Sequence, residues 1–102
     1  MTTLNYIASF FAGAFFANVV PHFVHGASGD PFPTPFANPP GKGLSSPTVN
    51  VLWSLVNLVI GFLLFRRGQV STRNIASLVV FFAGITAISL VHSIHFREKH
   101  SR

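Results

Sequence analysis

The chain has 102 residues, of which 49% are hydrophobic and 9% charged; seven Lys and Arg stand against two Asp and Glu, a formal charge of +5, and the mean hydropathy is +0.51. A soluble domain carries about a quarter charged residues, so this composition indicates a single integral membrane domain over residues 1–102. The positive charge does not indicate nucleic acid. Arg66, Arg67 and Arg73 bracket one short turn, while Arg97, Lys99 and Arg102 follow an apolar run, the pattern that anchors spans at lipid headgroups. With no cysteine in the chain, disulfides, thiolate nucleophiles and Cys-based metal sites are excluded.

The first predicted span covers about residues 3–25, TLNYIASFFAGAFFANVVPHFVH, long enough for the ~20 apolar residues that cross a hydrocarbon core. It lacks the basic start of a signal peptide and is expected to be retained as a span. Pro21 is expected to kink it and Gly26 to close it. Ser9, Gly13 and Ala17 recur at every fourth position, which puts three small side chains on one face and invites close approach by another helix.

Residues 26–46 contain five of the seven prolines, each fixing its own φ, lacking an N–H and biasing its predecessor towards extended backbone. Regular structure is not expected here. The segment also carries Phe32, Phe36 and Leu44, which favour leaving water, so it reads as an ordered capping loop on one side of the bilayer; a mobile polyproline-like connector is the alternative.

The second span covers 47–65. Ser46 followed by Pro47 is a helix start, with a capping hydroxyl and a proline where its missing N–H costs nothing. Asn50, Ser54, Asn57 and Gly61 then draw one polar and small stripe along it. The third span, 72–96, opens with Ser71 or Thr72 as cap. Only RRGQVS separates the second and third spans, so these two are expected to be antiparallel neighbours. The expected fold is all-α, a three-span transmembrane helical bundle with a long Pro/Phe-rich loop between helices 1 and 2.

Counting crossings places the end of span one, the loop, the start of span two and the end of span three on the same side. Asn18, His22 and His25, then Asn50, Ser54 and Asn57, then Ser89, His92, Ser93 and His95 collect there. Polar side chains at membrane depth face a bundle interior or a wet cavity, because lipid offers them no partners. The candidate ligand-binding residues are therefore Asn18, Asp30, Asn50, Trp53, Ser54, Asn57 and Ser89. His22/His25 and His92/His95 form two His-x-x-His pairs, whose imidazoles suit a transition metal or, one from each helix, a haem. Competing readings stand beside these: histidines at the headgroup level, asparagines joining helices, Trp53 as an interfacial anchor, Asp30 capping a turn.

Two acids cannot supply a carboxylate pair within a span, a Ser89–His92 dyad has no orienting acid, and Gly41-Lys42-Gly43 lacks the spacing of a phosphate loop. No catalytic residue is assigned. The expected function is binding or passage of a small molecule, ion or lipid headgroup in a loop-capped polar vestibule. A membrane metallo- or haem-protein with redox activity, or a non-catalytic accessory subunit, are the alternatives. The expected partners are the lipid bilayer and either further copies of the chain or a larger membrane complex, with no nucleic acid. The arginine turn is assigned to the cytoplasmic side, and the N-terminus with it.

Overall fold

The structure, a computed structural model, describes residues 2–97; Lys99 and Arg102 of the basic tail lie outside the described residues. Three helices account for most of them: α1 (Thr3–Ala27), α2 (Pro47–Arg67) and α3 (Ile75–His95), with β1 (Phe32–Pro33) and β2 (Leu44–Ser45) between α1 and α2. All three helices are long and apolar enough to cross a membrane, with mean hydropathies of 1.6, 2.0 and 2.2 over an 18-residue stretch of each. The molecule is 45 Å long, close to the ~40–45 Å of a bilayer with its headgroups.

Local chemistry sets the helix ends. Thr2 and Asn5 form a reciprocal capping box at the start of α1, and Ser46 Oγ accepts from the Val49 N–H at 3.1 Å with Pro47 at the first helical position. Two expected ends differ. Asn74, rather than Ser71 or Thr72, caps α3, because residues 71–74 first close a turn in which the Asn74 N–H donates to Ser71 O. Gly26 does not end α1, which continues to Ala27. It is buried against α2, where a Cβ would lie 2.7 Å from Pro47 O.

The segment after α1 holds regular structure that the prolines argued against. Phe32 pairs with Ser45 and Pro33 with Leu44 in a two-rung antiparallel ladder. Proline is tolerated there because each strand is an edge, and half of its N–H positions face outward. The Thr34 and Ser45 hydroxyls hydrogen-bond each other. Thr34 O also accepts from the Gly41 N–H at 2.8 Å, and Gly41 adopts the left-handed φ of +73° that glycine takes without strain.

α1 packs along both of the other helices. The expectation that α2 and α3 are direct neighbours is corrected: they meet through the Phe65 and Phe81 rings, 5.3 Å apart, and α1 otherwise lies between them. Their connection, residues 68–74, reaches about 20 Å when extended, enough to step around one helix. Serines clamp it to α1 and α3: Gly68 O accepts from Ser9 Oγ of α1 at 3.2 Å and from Ser77 Oγ of α3 at 2.7 Å, and Asn5 Nδ2 donates to Arg67 O at 3.0 Å.

The small-residue face on α1 is used as expected at two of its three positions. Ser9 meets Ser77 at 3.0 Å, and a Cβ on Gly13 would lie 2.0 Å from Phe81 O. Reciprocally, a Cβ on Gly84 would lie 1.9 Å from Phe10 O. α1 and α3 therefore cross backbone to backbone.

Candidate functional site

The buried residues of α2 are Asn50, Ser54, Asn57 and Gly61, the stripe read from the sequence, and they face α1. Gly61 admits the ring of Phe16 and the Cβ of Phe15. Above it, Asn57 Oδ1 accepts from Asn18 Nδ2 at 2.9 Å while its own amide donates to Trp53 O at 2.7 Å. Ser54 Oγ donates to Val51 O within its own helix.

Nearer the end of α1, His22 Nδ1 and Asn50 Oδ1 lie 2.8 Å apart. The Asn50 amide meanwhile donates to the carbonyls of Phe32, Ser45 and Ser46 at 3.0, 3.3 and 3.1 Å. Since the amide supplies those donors, its oxygen is the acceptor for His22, and Nδ1 carries the proton. In the neutral ring this leaves His22 Nε2 as an acceptor. Both side chains are buried, Asn50 completely, so the network joins α1, α2 and both strands of the connection at one point.

The connection also lies across the helix ends through its aromatic rings. His25 stacks on Phe32 at 4.3 Å, and Phe32 meets Phe96 at 4.7 Å. Phe36 packs edge-on against Trp53 at 5.0 Å. His95 Nε2–H donates to Gly41 O at 2.7 Å.

Two cavities open beside this network. The smaller, about 140 Å³, lies under the connection and is lined by Asn18, His22, Thr34, Gly41, Trp53 and Phe96 among others. The larger, about 370 Å³, is an open, largely apolar groove over α1, walled by Trp53 and Asn57 of α2 and Ile88 of α3. Asn18 and Trp53 line both. Trp53 Nε1 is buried and, among the described residues, has no hydrogen-bond partner. A buried unpaired donor is uncommon in a folded protein and marks a position where an acceptor is missing.

The predicted residues divide accordingly. Asn18, His22, Asn50, Trp53 and Asn57 come together. Ser54 satisfies its own backbone, and Asp30 is exposed, its peptide N–H closing the end of α1 on His25 O at 2.8 Å. Ser89 and His92 lie on a different seam, between α1 and α3. Among the described residues, no three His, Cys, Asp or Glu are grouped to hold a metal ion; His22 and His95 are instead bonded to an amide and a carbonyl. Sequence reasoning missed Thr34, which lines the smaller cavity; its signal was a lone hydroxyl between two prolines. No protein-family model matches the chain, and neither does any curated protein or solved structure.

Proposed function

We propose that this is a membrane-embedded binding protein in which the segment between α1 and α2 acts as a cap over a polar vestibule. Its ligand is an apolar molecule with a hydroxyl-type head, which enters from the acyl-chain region through the α2–α3 groove. One observation carries this reading: the Trp53 N–H, unpaired among the described residues, belongs to a side chain that lines both the groove and the vestibule. Across the vestibule His22 supplies an acceptor, with ring centroids 6.5 Å from Trp53. A hydroxyl accepts from an indole N–H and donates to an imidazole nitrogen, so it fits a site offering one of each. The groove's apolar walls receive the remainder of the molecule.

The N-terminus and the arginine turn are placed on the cytoplasmic side, which puts the vestibule on the opposite face. A single copy carries every residue of this site; association with further copies or with a larger complex is a separate proposal, supported by the apolar outer faces of the helices.

Trp53 is the only tryptophan, so a ¹⁵N-indole label gives one cross-peak from the protein in nanodiscs. Titration with 1-dodecanol should shift that peak saturably, and dodecane should not. No shift with either compound, or equal shifts with both, rejects the reading.

A further inference from the structure

The connection between α1 and α2 does not stay at the ends of the helices. It leaves α1 with the Asp30 N–H on His25 O at 2.8 Å, brings Phe32 to 5.3 Å from His22, and at Phe36 reaches Trp53, ring to ring at 5.0 Å. Trp53 stands six residues past Pro47 in α2, about 9 Å down the helix axis. Pro35 lines the same cavity as Asn18, which is nine residues before the last of α1. By Gly41 the chain is back at the end of α3, where the His95 ring donates to its carbonyl at 2.7 Å. The 21 residues of α2 rise about 30 Å, the thickness of a hydrocarbon core. Its first residue therefore marks one boundary of that core, and the tip of the connection, residues 33–37, lies inside it.

We propose that the connection is a wedge seated in the bilayer, with residues 33–37 below headgroup level and the Phe36 ring among the acyl chains of that leaflet. Phe36 is 67% exposed, whereas Phe32, Thr34 and Ala37 beside it are buried. The loop thus turns its backbone to the helices and one large apolar side chain outward. Irregular backbone persists at membrane depth only where protein covers it and its polar groups are paired. Here Pro33 and Pro35 have no N–H to pair, and those of Phe36 and Ala37 donate to Thr34 Oγ1 and Thr34 O, both at 3.2 Å. The occupant is lipid because a ring at this depth has the surroundings of Leu52 and Val56, the exposed apolar residues of α2 that flank Trp53 in the chain. The wedge does not rest on ligand binding in the vestibule and would stand if 1-dodecanol failed to bind.

The chain has no cysteine, so a nitroxide can be attached at single introduced sites in the full chain, reconstituted in phosphatidylcholine vesicles. Phe36→Cys carries the test. Val59→Cys, exposed at mid-span in α2, is the lipid reference, and Lys42→Cys, exposed beside Gly41, the aqueous one. Power saturation reads collisions with oxygen, which concentrates in the bilayer, and with a water-soluble nickel chelate. Oxygen should outweigh the chelate severalfold at positions 36 and 59, and the chelate should outweigh oxygen at position 42. Chelate dominance at position 36 overturns the proposal, because the tip is then in water. Low collision with both overturns it too, because protein then covers the ring. Wild type gives a second reading that needs no substitution. A phosphatidylcholine carrying a diazirine midway along its acyl chain should label the peptide containing Phe36, and labelling confined to the three helices rejects the wedge.

Discussion

His22 and Asn50, 28 positions apart in the chain, share a 2.8 Å hydrogen bond that is buried on both sides. Through it and the Asn50 amide, the connection between α1 and α2 is fixed to both helices at once. Replacing Asn50 by leucine removes the partner of the His22 N–H and the side-chain donor to three carbonyls, of which Ser46 O keeps the peptide N–H of residue 50 at 3.1 Å. Each buried group left unpaired costs about 1–3 kcal/mol, less where water reaches it. We expect Asn50→Leu to lose at least about 2 kcal/mol of stability. Hydrogen exchange should accelerate in residues 28–46 more than in any helix; uniform acceleration would show that Asn50 supports the bundle generally and does not act as a tie.

The Gly13–Gly84 crossing predicts a sharp steric response. A methyl on either glycine meets backbone oxygen at about half a normal contact distance, and a backbone atom cannot swing aside as a side chain does. Overpacking of a core typically costs about 1–3 kcal/mol, and these two positions should reach or exceed the upper end. Gly29, whose added Cβ would meet nothing within 4 Å but whose φ is +79°, supplies the contrast. Gly29→Ala should cost about 1 kcal/mol from backbone strain alone. Thermal unfolding in detergent should rank Gly13→Ala and Gly84→Ala well below Gly29→Ala, and the reverse order would remove the close crossing from the fold.

These two sites show what was legible in the sequence. The small-residue spacing on α1 pointed to a helix partner because in lipid only small side chains allow backbones to approach. It did not say which partner. The short turn suggested α2 beside α3, yet Ser9 and Ser77 both reach Gly68 O, and this clamp draws α1 between them. Serine pairs 68 positions apart leave no local signature. The α2 stripe was readable because asparagine has few alternatives at membrane depth. What each asparagine bonds to was not, since Asn50 finds its acceptors in a connection whose prolines gave no hint of a β ladder.

The histidines yield a prediction about metals. His22 commits Nδ1 to Asn50, His95 commits Nε2 to Gly41 O, and the ring of His25 stacks on Phe32. A zinc ion would have to break at least one of these arrangements to collect three ligands. Saturating a true site at a hundred times its dissociation constant stabilises a fold by about 2.7 kcal/mol. We expect zinc, added to protein stripped with chelator, to leave the melting temperature unchanged. A saturable rise would show that the imidazoles regroup around metal and would revive the metalloprotein reading.

Trp53→Phe separates stability from binding. The indole N–H is buried without a partner among the described residues, so removing it relieves an unsatisfied donor whose burial costs about 1–3 kcal/mol. Phenylalanine retains an aromatic ring to meet Phe36 and His22 but is smaller, and the lost packing offsets part of that relief. The expected result is a variant as stable as wild type or more stable by about 1 kcal/mol, with its affinity for 1-dodecanol reduced about tenfold, the equivalent of one hydrogen bond to a neutral group. Isothermal titration reads the affinity, since the NMR reporter is lost with the indole. A variant that melts several degrees lower would mean that the N–H is already satisfied, by water or by lipid, and that the vestibule holds no unused donor for a ligand.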